Sequence, residues 1–234
     1  MENQFTYRKL LVCDLGKIKY QHAWDIQKKY FELRTLGKVN DILFICEHPH
    51  TYTLGKVAEK TNLLFDQKVL DEKGIEVFEI DRGGDITYHG PGQIVGYAIL
   101  NLSEWKQDTH LYLRALEEVL INTCSNYGIA STRNNKYTGV WIENRKICAI
   151  GIKVSRWITM HGFAFNVNTT LNMFSGIIPC GITGKEVTSL SNELQKEINI
   201  SEVKQNVVLN FEKVFSYSEI ENKTFSELEI SIKS

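Results

Sequence analysis

The sequence predicts an α+β fold, in which mixed β-sheets carry flanking helices. Three stretches show the apolar spacing of amphipathic helices, and short apolar runs with the length of strands lie between them. In the middle of the chain several strand patterns follow one another through short polar turns. Because a doubly wound parallel sheet needs a helix after nearly every strand, these consecutive strands favour mixed sheets.

The strand and helix patterns can be placed along the chain from periodicity and from glycine stops. We predict strands at 8–14, 42–46, 75–80, 94–100, 139–142, 146–153 and 162–167. We predict helices at 18–36, 108–127 and 202–215. Gly37 and Gly128 should end the first two helices, and the apolar face of the third should dock on the main body. The polar tail after Tyr217 is expected to be frayed.

Length and composition limit the classes of protein that the chain can belong to. With 234 residues, 43% of them hydrophobic, it is long enough for one substantial core, so we expect one domain over residues 1–234. Its net charge is −1 and its charges are dispersed, which argues against a nucleic-acid binder. No apolar run approaches the roughly 20 residues of a membrane span, and no signal-peptide pattern opens the sequence. We therefore expect a cytoplasmic protein that does not bind membranes.

Residues 82–93 are the most unusual stretch, because four glycines and a proline stand among titratable and aromatic side chains. Glycines let backbone N–H groups approach a ligand, while Arg82 and His89 can hold polar groups of a substrate. The alternative, a surface turn, would need only two or three such residues. The glycine spacing does not fit a dinucleotide-binding fingerprint, and a strand follows where that fingerprint needs a helix. The stretch therefore predicts a substrate-binding segment.

The five cysteines are widely spaced without a C-x-x-C pair, which predicts reduced thiols. Cys180 lies between a proline and a glycine in a predicted loop, where its sulfur could face a pocket. The other four lie within strand or helix patterns and should be small buried side chains. Because a thiol with a pKa of ~8.5 is mostly protonated at neutral pH, Cys180 needs a basic neighbour.

Lys146 and Lys153 are the candidate neighbours, although composition alone would make either a solvated surface lysine. If residues 146–153 form one regular strand, the two lysines point to opposite faces, and only one of them can reach a given pocket. A bulge at Gly151 would alter this alternation.

Two further patterns carry weaker signals. Cys46, His48 and His50 alternate as metal ligands on one strand face could, but Pro49 interrupts them and a fourth ligand is not evident, so we expect no metal. Residues 181–186 partly match a phosphate-binding loop, but the first glycine is misplaced and Glu186 replaces the required Ser or Thr. We expect a loop there and no bound cofactor.

The stretch from Arg82 to Gln93, continued by Ile94-Val95-Gly96-Tyr97, closely resembles the signature of the lipoyl(octanoyl)transferase (LipB) family. Further segments agree with that family in order and spacing, and together the resemblance covers roughly residues 41–189. These segments are Gly139-Val140-Trp141, Arg145-Lys146-Ile147, Ala149-Ile150-Gly151, His161-Gly162-Phe163-Ala164-Phe165-Asn166 and Pro179-Cys180-Gly181.

The resemblance implies the fold shared by biotin and lipoate protein ligases, a thioester-forming Cys180, and Lys146 as the residue that activates it. It also implies a substrate pocket lined by Arg82, Gly83, Gly84, Asp85, Ile86, Thr87, Tyr88, His89, Ala149, Ile150, Gly151, Gly162, Phe163 and Ala164. The implied reaction moves octanoyl from octanoyl-acyl carrier protein to a lysine of a lipoyl domain. Implied acceptors are the E2 subunits of 2-oxoacid dehydrogenases and the H protein of glycine cleavage.

The chemistry of these residues agrees with that reaction. A Cys180 thiolate can exchange with the donor thioester, an amine can then attack the acyl-enzyme, and Lys146 can accept the thiol proton. Two alternatives remain open. An ATP-dependent lipoate ligase on the same fold would not need Cys180, and a non-catalytic binder of acylated carrier proteins would follow if Cys180 and Lys146 lay far apart.

Overall fold

The computed structural model describes residues 7–178 and 186–233, which form one large and one small β-sheet with flanking helices. The strands are β1 (Lys9–Lys17), β2 (Asp41–Glu47), β3 (Thr51–Leu54), β4 (Glu76–Glu79), β5 (Ile86–His89), β6 (Gln93–Ile99), β7 (Thr132–Arg133), β8 (Val140–Ile142), β9 (Arg145–Ser155), β10 (Ile158–Asn166), β11 (Glu186–Val187) and β12 (Glu219–Asn222). The helices are α1 (Tyr20–Thr35), α2 (Gln67–Glu72), α3 (Thr109–Ser125), α4 (Leu190–Leu194), α5 (Ile200–Phe215) and α6 (Phe225–Lys233).

The large sheet has the strand order β12-β1-β2-β6-β10-β9-β8-β7, and β11 also pairs with β9. Strand β1 runs parallel to both neighbours, whereas the pairs from β2 to β7 are antiparallel. The small sheet, β4-β3-β5, combines one parallel and one antiparallel pair. Both sheets are therefore mixed, and the predicted α+β class is confirmed.

Each face of the large sheet carries its own hydrophobic core. Helices α3 and α5 cover one face, where Phe211 and Phe215 of α5 are fully buried with Phe163 and Phe165 of β10. Helix α1 covers the other face, and its aromatic residues pack against β2 and β6. The small sheet has a third core around Tyr52 and Tyr88. Within the described part of the chain, no helix has the length and apolarity needed to cross a bilayer.

The ends of the long helices follow from local chemistry. The Asp108 side chain accepts hydrogen bonds from two backbone N–H groups in the first turn of α3, and Asn199 does the same for α5. Gly37 and Gly128 follow α1 and α3 with φ of +66° and +72°, a conformation that glycine adopts without steric cost. Both predicted glycine stops are confirmed, as are the positions of the three predicted helices within a few residues.

The prediction of a frayed C-terminal tail is wrong. Residues Glu219–Asn222 form β12, which pairs in parallel with β1 at the edge of the large sheet. Lys9 of β1 forms ion pairs with Glu219 and Glu221, so the polar composition of this strand suits its edge position. Helix α6 follows. Its Leu228 is 1% exposed and lies in the same hydrophobic core as the buried side chains of α1.

A buried carboxylate ties together segments that lie far apart in the sequence. Asp41, at the start of β2, accepts hydrogen bonds from Arg8 at 2.8 Å, from Arg34 at 2.9 Å and from the Tyr217 hydroxyl at 2.7 Å. The backbone N–H of Asn101 is a fourth donor, at 2.8 Å. The carboxylate is 3% exposed, so its hydrogen bonds and its two guanidinium partners must offset the loss of hydration.

Asp41→Ala should lower the free energy of unfolding by about 3 kcal/mol or more, because it leaves the buried Arg8 guanidinium without a carboxylate and removes one of the two carboxylates that pair with Arg34. Urea unfolding of wild type and variant measures this difference. Asp25→Ala is the control, since Asp25 is exposed on α1 and pairs with Lys28. That control should leave the unfolding curve nearly unchanged. Equal effects of the two substitutions would contradict the role given to Asp41.

Candidate functional site

A cavity of about 490 Å³ lies between residues 82–89 and the face of the large sheet formed by β6, β9 and β10. Its size is within the range of small-molecule sites, which is about 300–1,000 Å³. The structure brings together the following residues predicted for the site: Arg82, Gly83, Gly84, Asp85, Ile86, Thr87, His89, Lys146, Ala149, Ile150, Gly151, Gly162, Phe163 and Ala164. The predicted residues therefore meet at one cavity even though they come from three separate parts of the chain.

Tyr88 is a predicted pocket residue that does not line the cavity. Its ring packs edge-on against Phe174 in the core of the small sheet, with 5.1 Å between centroids. Its hydroxyl lies 2.7 Å from His50 Nδ1. Residues 82–93 are thus not wholly a loop, because they contain β5, which pairs with β3 through Tyr52 and Tyr88.

Two glycines of this stretch are required by the backbone. Gly84 has φ +89° and Gly92 has φ +78°, both in the region that side chains disfavour. A Cβ atom on Gly92 would also lie 2.5 Å from the carbonyl oxygen of Asn168. Gly84 therefore lets the chain turn before β5, and Gly92 lets it turn between β5 and β6 and pack closely against the chain that follows β10.

Arg82 is buried in the cavity wall and directs its guanidinium towards β3. Nη2 donates to the carbonyl and hydroxyl oxygens of Thr53 at 2.8 and 3.0 Å. A Cβ atom on Gly151 would lie only 2.9 Å from Arg82 Cδ, so β9 can approach the arginine only because position 151 is glycine. Arg82 thus connects the small sheet to the wall formed by β9.

His89 begins a chain of polar contacts that crosses the floor of the cavity. Its Nδ1 lies 3.0 Å from Gln93 Oε1, and Gln93 Nε2 donates to Asn166 Oδ1 at 2.9 Å. Asn166 Nδ2 in turn donates to the carbonyl oxygen of Thr188 at 2.9 Å. The ring of Tyr20 stacks on His89 at 5.7 Å. Burial lowers the pKa of His89 well below its ordinary value, so this imidazole is neutral at physiological pH.

Lys146 lies at the start of β9 and lines the cavity with only 8% of its surface exposed. Its Nζ lies 4.7 Å from the centroid of the Trp141 ring. Strand β11 pairs beside it, with Val187 opposite Lys146, and the Thr188 N–H donates to the Lys146 carbonyl at 3.0 Å. The chain that follows residue 185 is therefore held against this lysine.

Cys180, with its neighbours Pro179 and Gly181, lies outside the described residues. On both sides of this segment the described chain is connected to residues that line the cavity. The Ile178 N–H donates to the Asn62 carbonyl at 2.8 Å, and the Asn62 side chain donates to Asp85, which lines the cavity. On the other side Val187 also lines the cavity. The chain therefore leaves and re-enters the described structure beside the same site.

The prediction that Lys146 and Lys153 point to opposite faces assumed one regular strand over residues 146–153, and β9 is irregular at Ile147. Pairing steps from Trp141 opposite Lys146 to Val140 opposite Cys148, so Ile147 is an extra residue that forms a bulge. This bulge places Lys146 on the same face as Lys153. Seven residue steps nevertheless separate their Cα atoms by roughly 20 Å. Lys153 forms an ion pair with Asp81 at 2.5 Å.

The other four cysteines are buried, as predicted. Burial raises the pKa of the Cys13 and Cys124 thiols to about 12 and also raises the pKa values of Cys46 and Cys148. These thiols are therefore protonated at neutral pH. Their low thiolate content makes them poor nucleophiles.

The alternation of Cys46, His48 and His50 does not assemble a ligand set. His48 Nδ1 lies 2.7 Å from the Ile18 carbonyl and its Nε2 lies 2.7 Å from the Tyr97 hydroxyl, whereas His50 turns to the small sheet. Within residues 7–178 and 186–233 there is no group of three His, Cys, Asp or Glu side chains placed to hold a metal ion.

Sequence reasoning missed several residues at this site. Val95 and Tyr97 alternate along β6 on the cavity face, so strand periodicity could have found them. Tyr20, at the first position of α1, carries no such local signal. Asp81 and His161, one position before Arg82 and Gly162, contact each other at 2.8 Å. His161 has φ +62°, a conformation that costs about 1–3 kcal/mol in a residue other than glycine.

Residues 19–212 match the model of the lipoyl protein ligase A/B catalytic domain family. The chain is 48% identical over 226 residues to an octanoyltransferase of Christiangramia forsetii. The matched region covers 89% of this chain and 96% of that protein. It is 49% identical over 220 residues to an octanoyltransferase of Flavobacterium psychrophilum, over 86% of this chain and 94% of that protein. These relatives extend over most of both chains.

Solved structures share the fold at much lower identity. A lipoate-protein ligase A bound with ATP superposes with a TM-score of 0.76 at 16% identity, over 97% of this chain and 92% of that one. A bipartite lipoate protein ligase from Thermoplasma acidophilum, described with its E2 lipoyl domain, gives a TM-score of 0.73 at 17% identity, over 97% and 90% of the two chains. The predicted lipoate ligase-like fold is confirmed.

Acid should destabilise the fold through its buried histidines. Burial lowers the pKa of His48 to about 4, whereas an imidazole in the unfolded chain titrates near 6.5. The stabilisation from neutral His48 is therefore complete above about pH 6.5 and is lost as the pH falls through the folded pKa. From this group we expect a free energy of unfolding about 2 kcal/mol lower at pH 5 than at pH 7.

Urea unfolding at the two pH values tests this expectation with His48→Asn, whose amide can replace the Nδ1 donor to Ile18. The variant should show a pH dependence smaller by about 2 kcal/mol. An unchanged pH dependence in the variant would show that His48 does not bind the proton in question.

Proposed function

The chain belongs to the lipoyl protein ligase A/B catalytic domain family and is an octanoyltransferase of protein lipoylation, and we propose that it carries the acyl group as a thioester on Cys180. Its acceptors are lipoyl domains. The donor is octanoyl-acyl carrier protein. The acceptor groups are lysines of E2 subunits of 2-oxoacid dehydrogenases and of the glycine cleavage H protein.

The observation that carries the proposal is the convergence of three chain segments at one cavity. Residues 82–89 and the strand pair β9–β10 wall it, and Lys146 lines it. Ile178 and Val187, which flank the segment with Cys180, are both held beside it. This arrangement supports a site in which a thiol and a lysine act on one bound acyl group.

The proposed reaction proceeds in two acyl transfers. Lys146 accepts the proton of the Cys180 thiol, and the thiolate attacks the carbonyl carbon of the donor thioester. A new C–S bond forms as the donor C–S bond breaks, and the departing thiolate takes the proton from Lys146. The neutral acceptor amine then attacks the carbonyl carbon of the acyl-enzyme, a C–N bond forms as the C–S bond to Cys180 breaks, and the proton lost by the amine passes through Lys146 to the Cys180 thiolate.

The cavity surroundings favour an uncharged acyl chain. Val95, Ala149, Ala164 and Phe163 contribute apolar surface, and the adjacent histidines are neutral because burial lowers their pKa values. A thioester donor is already activated, and conversion of a thioester to an amide is downhill, so the reaction needs no ATP. The likeness to lipoate ligases at 16–17% identity concerns the fold alone, and it does not extend the ATP requirement to this chain.

We expect incubation with octanoyl-acyl carrier protein to add one octanoyl mass to the peptide that contains Cys180. Mass spectrometry of the digested protein measures this adduct. Cys180→Ser should lose nearly all turnover, whereas Cys124→Ala should mainly lower stability, because Cys124 is a buried side chain of α3. Octanoyl transfer that proceeds without the adduct would refute the covalent mechanism, and strict ATP dependence with free octanoate would favour the ligase.

Lys146→Ala should slow acylation of Cys180 by about 10²-fold or more, the usual effect of removing a positioned proton-transfer group. It should also shift iodoacetamide labelling of Cys180 to higher pH. Lys153→Ala is the matched control, because Lys153 lies on the same strand and pairs with Asp81. Labelling that shifts in the Lys153 variant but not in the Lys146 variant would reverse the assignment.

A further inference from the structure

Asp81 joins three parts of the structure immediately before the substrate-binding stretch. Its Oδ1 accepts a hydrogen bond from His161 Nε2 at 2.8 Å, and its Oδ2 accepts one from Lys153 Nζ at 2.5 Å. One carboxylate therefore links β10 and β9 to the segment that follows β4. The Gly83 N–H donates to the Ile152 carbonyl at 2.8 Å, which attaches the same segment to β9 a second time.

His161 has an unusual backbone conformation for a strand residue. Its φ is +62°, and its N–H donates to Gln27 Oε1 of α1 at 3.0 Å instead of to a neighbouring strand. The side chain is 1% exposed, and within the described residues its Nδ1 has no hydrogen-bond partner. Because residues other than glycine avoid this conformation, surrounding contacts must hold it. The bond from its side chain to Asp81 and the bond from its N–H to Gln27 are the polar contacts that hold it.

The cavity wall next to His161 consists of backbone. Gly162 follows directly, and its register partner on β9 is Gly151. A Cβ atom on Gly162 would lie 2.2 Å from the Gly96 carbonyl oxygen, and one on Gly151 would lie 2.9 Å from Arg82 Cδ. Both glycines are therefore packed tightly on their neighbours. A shift of the preceding residue would move this part of the wall.

We propose that Asp81 and His161 are positioning residues for acyl transfer, whose hydrogen bond holds the backbone wall at Gly162 and Gly151 against the bound acyl group. The wall sets where the acyl carbonyl lies relative to the attacking group. A displacement of about 1 Å can cost roughly 10²-fold in rate. Such a displacement removes little of the contact area that holds the acyl chain. It should therefore lower kcat more than it raises KM.

The proposal rests on the octanoyl transfer described above, and two variants at one position test it. His161→Gln keeps an N–H donor near the place of Nε2, whereas His161→Met has a similar length without the donor. Both carry the same backbone cost at φ +62°. We expect His161→Met to lower kcat about 10²-fold with KM changed less than about threefold, and His161→Gln to stay within about tenfold of wild type.

Asp81→Ala provides a second variant at a position that is 35% exposed, and it should show the same loss of kcat as His161→Met. Lys153→Met leaves the bond between Asp81 and His161 in place and should change kcat less than about threefold. Circular dichroism and thermal melting confirm folding before each assay.

An equal loss of kcat in His161→Gln and His161→Met would overturn the positioning role, and so would an effect on KM alone. A wild-type kcat in Asp81→Ala would overturn it as well. The wild type is assayed in parallel for octanoyl transfer and for the Cys180 adduct. Transfer without the adduct would refute the thioester and leave the positioning test intact. Absence of transfer by the wild type would overturn the function and this inference together.

Discussion

Hydrogen bonds between residues 81–83 and the strands β9 and β10 join the small sheet to the large one. The cavity lies between residues 82–89 and the large sheet, which these bonds hold together. The hydrogen bond from His161, followed by that from Lys153, holds the pKa of Asp81 well below its usual range. Asp81 is therefore ionised at neutral pH, while burial lowers the pKa of His161 and keeps its imidazole neutral. The Asp81 carboxylate thus binds the neutral His161 imidazole and the Lys153 side chain at one junction.

A second carboxylate, Asp41 at the start of β2, binds two arginines and a tyrosine from distant segments of the chain. Buried polar side chains also hold the opposite end of β6 and β10. Gln93 and Asn166 link the stretch after β5 to Thr188, and Thr188 is bonded to Lys146. Because buried polar groups must be paired, each of these bonds restricts where the cavity wall can lie.

The fold is compatible with both ligase and transferase chemistry, so function depends on the groups at the cavity. Four of the five cysteines are excluded as nucleophiles because burial raises the pKa values of their thiols. Of the two candidate lysines, Lys146 lines the cavity, whereas Lys153 serves the junction at Asp81. The same strand thus supplies one lysine to the cavity and another to the junction at Asp81.

The sequence by itself determined the fold class, the three long helices, the glycine stops and the stretch 82–93, because periodicity, capping and backbone conformation depend on neighbouring residues. Only the tertiary structure decided the bulge at Ile147, the left-handed backbone of His161 and the place of Tyr88 in the small-sheet core. It also decided that the polar segment after Tyr217 forms β12 on the edge of β1. Each of these depends on partners distant in the sequence, whose register and packing no local pattern encodes.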